Sequence, residues 1–143
     1  MGCLLPGRRP FTLGNLSAIP SRSRDTIAPG ATRDLQSVVR ALEDHKAVDV
    51  LVLDLRRISN AADFFVIASG TSDTHVRTLA ERILERLEPD RRPHHVEGIP
   101  AGRWALLDFV DIVIHVFHPT LRAYYQLERL WADAPLLSVE PAP

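Results

Sequence analysis

The spacing of apolar residues along the chain predicts two amphipathic helices. One covers Thr32 to about Lys46, and the other runs from about Asp73 to Glu88, with Ser72 as its N-cap. In both segments apolar residues recur every three or four positions and therefore share one helical face. These faces consist of Leu35, Val38, Val39 and Leu42 in the first helix and of Val76, Leu79, Ile83 and Leu87 in the second.

Continuous apolar runs predict five strands. Residues 48–55 and 64–69 are nearly uninterrupted apolar sequence, which is typical of strands covered on both faces. The run 111–117 is rich in β-branched residues, which favour strands. Shorter strands are predicted around Val96 and over residues 104–108.

A last helix is predicted from Pro119 to about Trp131, so the elements follow the order α-β-β-α-β-β-β-α. Most connections between consecutive strands are short, and neighbouring strands should therefore be antiparallel in part. The pattern predicts an α/β domain over residues 31–132, built as a mixed sheet of about five strands with flanking helices.

Both ends of the chain are predicted to be disordered. Residues 1–30 have no sustained apolar period and contain four prolines, which indicates a disordered leader. This Arg- and Ser-bearing leader also resembles an organellar transit peptide, but its prolines would break the amphipathic helix of such a signal. A dispensable extension or a wrongly assigned start codon is the simpler interpretation. Residues 133–143 contain three prolines and are predicted to be a disordered tail.

Composition indicates a soluble, cytoplasmic, single-domain protein. The 143 residues are 45% hydrophobic, and no apolar run approaches the roughly 20 residues that span a bilayer. Cys3 is the only cysteine, so no internal disulfide can form. Four arginines and one aspartate give the leader a charge of +3, and the net charge of −1 leaves −4 for the remainder. The remainder therefore suits a basic partner surface, and sequence-specific binding of nucleic acid is not expected.

Two features raise the hypothesis of an enzyme. Gly70-Thr71-Ser72 lies between a strand and a helix, where exposed amides could bind phosphate, but a tight turn with a serine cap is the simpler interpretation. Nucleotidyl transfer needs Mg²⁺-binding acids at positions i and i+2 of one strand, and Asp111 is followed at i+2 by Val113. A metal- or nucleotide-dependent nucleotidyltransferase-like enzyme is therefore the alternative function, and no catalytic residue is predicted.

The histidines raise the hypothesis of a metal site. No pair has the i, i+4 spacing of a zinc protease, and no cysteine assists. Hydrogen-bonded histidines at strand ends are the simpler interpretation, so neither a metal nor a cofactor is predicted. The histidines concerned are His94, His95, His115 and His118.

Aromatic residues point to surface recognition. Trp104 begins a predicted strand, and Tyr124, Tyr125 and Trp131 fall in the last helix. Exposed aromatic side chains are common anchors of protein interfaces. For Trp131, packing of the helix on the sheet is the favoured interpretation, whereas for Trp104 packing and partner contact both stay open.

Several stretches between residues 35 and 131 resemble the ribosomal silencing factor family, also called iojap-like, in the order that the family has them. The stretches are 46–50 (KAVDV), 63–72 (DFFVIASGTS), 75–77 (HVR), 96–98 (VEG), 102–104 (GRW), 107–108 (LD), 111–119 (DIVIHVFHP) and 127–131 (LERLW). They cover nearly the whole predicted domain, so the resemblance is specific.

The resemblance implies a nucleotidyltransferase-like fold without catalytic residues. It also implies a partner, the large ribosomal subunit, which the family binds through ribosomal protein fourteen at the face that meets the small subunit. Such binding blocks subunit joining and represses translation under nutrient limitation. Self-association of the free protein is a further implication.

The resemblance places the contact with this partner around Trp104, which matches a docking tryptophan of the family. The predicted partner-binding residues are Trp104, Asp108, Asp111, His115, Tyr125 and Glu128. One departure lies beside them: the family usually has glycine before the acid that Asp111 matches, and here Val110 stands in its place. The geometry of that turn is therefore left open by the sequence.

Overall fold

The computed structural model of the chain describes residues 11–12, 29–87 and 91–141. The helices are α1 (Pro29–Asp44), α2 (Asp73–Leu87), α3 (Pro119–Tyr125) and α4 (Leu127–Leu130). The strands are β1 (Phe11–Thr12), β2 (Val48–Asp54), β3 (Phe64–Ser69), β4 (His95–Glu97), β5 (Trp104–Asp108), β6 (Ile112–Phe117) and β7 (Leu136–Ser138). No helix in these ranges is long and apolar enough to cross a membrane.

The strands form one mixed sheet in the order β1-β7-β2-β3-β6-β5-β4. β3 and β6 pair in parallel at its centre, while β2 pairs antiparallel with β3 and β5 pairs antiparallel with β4 and β6. The predicted α/β class and mixed sheet are therefore confirmed, and all five predicted strands are present.

One face of the sheet carries the main core, which α1 and α2 cover. Their predicted apolar faces are buried there, and the N-cap of α2 is confirmed because the Oγ of Ser72 accepts a hydrogen bond from the amide of His75 at 3.1 Å. Gly70 precedes this turn, and a Cβ on it would lie 2.8 Å from the amide nitrogen of Val76. The close approach of α2 to the sheet therefore requires glycine at this position.

The opposite face carries a smaller core, which the end of the chain covers. Phe65, Ile67 and Phe117 project from the sheet into it, and Trp131 and Ala134 pack against them. This cover lies over the β2–β3–β6 side of the sheet, so β5 at the other side is less protected.

The end of the chain differs from the prediction in two ways. The last helix is not continuous to Trp131, because Gln126 adopts a left-handed conformation (φ 49°) that ends α3 before α4 begins. The tail predicted to be disordered instead forms β7, whose Leu137 pairs with Val52 of β2. Leu137 is 6% exposed and Ala134 is fully buried, so this short apolar segment gains both a core contact and ladder hydrogen bonds despite the prolines around it.

The predicted leader lies mostly outside the described residues. Phe11–Thr12 is described, and it pairs in parallel with β7, so at this point the leader forms a strand at the edge of the sheet. Pro29 and Gly30, also assigned to the leader, form the first turn of α1.

Candidate functional site

Strand β5 has one face that is covered and one that is partly open. Ala105 and Leu107 are fully buried on the side of α2. Trp104, Leu106 and Asp108 point to the opposite side and are half-buried. Side chains alternate along a strand, so every second residue of β5 lies on the face that α1 and α2 do not cover.

Three aromatic neighbours hold the ring of Trp104. It stacks on Phe117 with 5.0 Å between ring centroids and 29° between planes, and the ring of Tyr125 lies 5.0 Å away on α3. Its indole Nε1 donates a hydrogen bond to Nδ1 of His115 at 3.2 Å. The sequence left packing and partner contact open for Trp104, and the structure shows a ring that packs on its neighbours and is only half-buried.

His115 is buried beneath this cluster on β6, where it is 6% exposed. Its ring meets the edge of Phe65 at 4.8 Å. Its Nε2 is buried and has no hydrogen-bond partner among the described residues, an arrangement that costs about 1–3 kcal/mol. Burial also lowers the pKa of the imidazole to about 4, so the ring is neutral at physiological pH.

Tyr125 joins the cluster from the last turn of α3. It is 48% exposed, and Tyr124 next to it is 77% exposed, with their rings 5.0 Å apart. Glu128, also predicted as a partner-binding residue, belongs to the backbone of α4, and its side chain lies outside the described residues. The predicted site residues that the structure brings together are therefore Trp104, His115 and Tyr125.

Asp111 lies away from Trp104, in a network of ion pairs around Arg91. Arg91 donates hydrogen bonds to Asp111, to Asp34 of α1 and to the carbonyl of Phe109, each at 2.6 Å. Burial lowers the pKa of Arg91, but the hydrogen bonds and negative charges of both carboxylates raise it further, and the net shift is upward. The carboxylate of Asp111 therefore helps to tie α1 to the turn between β5 and β6.

Asp108 stabilises the same turn. Its Oδ1 accepts a hydrogen bond from the amide of Val110 at 2.7 Å, and the amide of Asp111 donates to the carbonyl of Phe109 at 3.0 Å. Val110 has φ 76°. An i to i+2 hydrogen bond around a residue with this φ is a γ-turn of the rare, strained kind. Valine thus occupies a conformation that glycine adopts easily.

Two apolar residues of the site were missed by the sequence analysis. Leu106 is half-buried and lies opposite His115 in the ladder, and Val113 is half-buried opposite Asp108. Alternation within β5 and β6 could have identified both, because each lies an even number of positions from a predicted site residue. We name Trp104, Leu106, Val113 and Tyr125 together the open face.

The backbone amides that could have bound phosphate are hydrogen-bonded within the protein. At the start of α2, the amide of Thr71 donates to Nδ1 of His75 at 2.8 Å, and the amide of His75 is used by the Ser72 cap. These amides are therefore not free to bind phosphate. Among the described residues, no three His, Cys, Asp or Glu side chains are placed to share a metal ion.

Comparison with known proteins identifies relatives along most of the chain. The profile of a family described as "Ribosomal silencing factor during starvation" matches residues 29–143. The chain is 40% identical over 107 residues to "Ribosomal silencing factor RsfS" of Bacillus subtilis, covering 74% of this chain and 91% of that protein. It is 33% identical over 106 residues to "Mitochondrial assembly of ribosomal large subunit protein 1" of Mus musculus, covering 71% of this chain and 46% of that protein.

A solved structure has the same fold. The crystal structure of a protein from Chromobacterium violaceum superimposes with a TM-score of 0.67 at 31% sequence identity. The superposition covers 77% of this chain and 87% of the other.

Proposed function

Since this chain belongs to the family of ribosomal silencing factors, we propose that it binds the large ribosomal subunit through the open face. Its partner there is ribosomal protein fourteen, at the surface that meets the small subunit. The bound protein blocks subunit joining and represses translation when nutrients are limiting. This function is regulatory rather than enzymatic, and it is exerted in the cytoplasm, where the ribosomes are.

The observation that carries the proposal is the half-exposed aromatic cluster on an incompletely covered sheet. Trp104 and Tyr125 present ring surface beside the apolar side chains of Leu106 and Val113. Aromatic rings on a rigid support are typical anchors of protein interfaces, because they bury a large area at a small loss of side-chain entropy. Strand β5 supplies that rigid support, since it is paired on both sides.

Two further observations support the proposal. The Mus musculus relative is named for assembly of the ribosomal large subunit, which is the subunit proposed here as partner. Residues 31–143 carry a net charge of −4, which suits a partner rich in basic side chains and assists its approach.

Replacement of Trp104 by alanine tests this proposal. Truncating a central interface tryptophan typically costs about 2–4 kcal/mol of binding, or roughly 30- to 1,000-fold in affinity. We expect Trp104→Ala to sediment with isolated large subunits at least about tenfold more weakly and to stop blocking subunit joining. Thermal melting of the same preparation measures how far the fold is affected.

Trp131→Ala is the matched control. Trp131 is also a half-buried indole, and it packs on Phe65 in the same small core, so its loss should lower stability by a similar mechanism. We expect this control to melt at a lower temperature and yet bind large subunits with nearly unchanged affinity. Binding that is lost equally in both variants, or retained in Trp104→Ala, would contradict the proposed site.

A further inference from the structure

His115 cannot contact a partner directly, although it lies in the strand beside the open face. Only 6% of the residue is exposed, and its neighbours across the ladder are Leu106 on one side and Ile67 on the other. Any effect of this residue on binding must therefore pass through a side chain that is less deeply buried. Trp104 is the half-buried side chain to which it is hydrogen-bonded.

The hydrogen bond determines which nitrogen of His115 carries the proton. An indole N–H can only donate, so Nδ1 of His115 must offer a lone pair. The proton of the neutral ring is then on Nε2, where no described residue accepts it. The chain thus leaves one buried donor of His115 without a partner, and the bond that the ring does make is the one to Trp104.

This bond supplies an orientation that ring stacking alone does not. Phe117 and Tyr125 contact the Trp104 ring, and stacked rings can rotate about their common normal with little loss of contact. A hydrogen bond to the indole N–H at 3.2 Å removes that freedom. We propose that His115 is a positioning residue, which fixes the Trp104 ring in its docking orientation through the bond from indole Nε1 to imidazole Nδ1. This inference rests on the proposed function.

Two substitutions of His115 with similar branched shapes separate positioning from packing. In His115→Asn, the Oδ1 atom can occupy the place of Nδ1 and accept the indole proton, but the buried amide donors lack partners. His115→Leu has no acceptor, and it also removes the unpaired buried donor. The two variants should therefore rank oppositely in stability and in binding. We expect His115→Leu to be the more stable of the two and His115→Asn to bind large subunits more tightly.

Each variant is made with Trp131→Phe, so that the one remaining indole N–H resonance belongs to Trp104. In His115→Leu we expect faster exchange of this proton with solvent and about threefold to tenfold weaker sedimentation with large subunits. His115→Asn should restore both slow exchange and binding while melting at a lower temperature than His115→Leu.

The inference is overturned if the indole proton exchanges equally slowly in the Leu variant. It is also overturned if binding follows melting temperature across the two variants, since His115 would then act only through stability. Failure of the unmodified protein to bind large subunits would sink the proposed function instead. The exchange measurement, which needs no ribosome, would still decide whether His115 positions Trp104.

Discussion

Val110 has a backbone conformation that is unfavourable for a β-branched side chain. Its φ of 76° is a genuine outlier for a β-branched residue, and its side chain is 63% exposed, so little packing compensates for the strain. The strain persists because the surrounding turn is held by Asp108, by the bond from Asp111 to Phe109, and by the ion pairs of Arg91.

Replacement of Val110 by glycine should therefore stabilise the protein. Relief of backbone strain is worth about 1–3 kcal/mol, and the greater freedom of glycine in the unfolded chain offsets about 0.4–1 kcal/mol. We expect a net gain near 1 kcal/mol, measured by urea unfolding. Val110→Ala is the control, because alanine keeps a Cβ at positive φ and should gain much less. A glycine variant that is less stable than the valine protein would show that the turn is not strained.

At the scale of elements, β7 decides how the far side of the sheet is completed. It pairs with β2, and the amide of Asp54 donates to the carbonyl of Pro135 at 2.9 Å as the chain enters the strand. Leu137 then reaches the main core beneath α1 and α2. Residues 134–138 are therefore part of the folded unit.

Leu137→Ala should destabilise the protein by about 2–4 kcal/mol, as expected for a buried leucine that leaves a cavity. A lower melting temperature, by roughly 10 °C for a domain of this size, would measure this loss. Ser138→Ala is the matched control in the same strand, because Ser138 is exposed and its substitution should change little. If the tail were disordered, both variants would melt like the unmodified protein.

For the whole molecule, His115 predicts how stability depends on pH. Burial holds its pKa at about 4 in the folded state, against 6.5 for an ordinary histidine. Between these values the unfolded chain binds a proton that the folded chain does not, so the free energy of unfolding falls as the pH is lowered. Its contribution is complete above pH 6.5 and is lost on the way to pH 4, amounting to about 3 kcal/mol at 1.36 kcal/mol for each pH unit.

Urea unfolding of the unmodified protein and of His115→Leu at several pH values between 4 and 7 measures this contribution. Carboxylates also titrate in this range, but their effect is common to both proteins and cancels in the difference. We expect the stability difference between them to change by about 3 kcal/mol across the range. A difference that stays constant with pH would contradict a buried, neutral His115.

The sequence by itself determined the elements that depend on local periodicity. Both long helices and the strands β2, β3, β5 and β6 follow from the spacing of apolar residues, which sets which face of each element is buried. The question about the turn at Val110 came from the resemblance, because the family usually has glycine at this position and glycine is favoured where a turn requires positive φ. Similarity to one family could likewise be seen from the order of short stretches.

Only the tertiary structure decided features that depend on residues distant in the chain. β7 forms because the edge of β2 offers it hydrogen bonds, and the apolar pair Leu136-Leu137 is too short to predict a strand alone. Asp111 is bonded to Arg91, 20 residues earlier, at the opposite end of the β5–β6 pair from Trp104. The sequence identified His115 as a candidate site residue but could not predict that it is buried. Its burial comes from Phe65 of β3, Trp104 of β5 and Phe117 of β6, whose rings surround the imidazole.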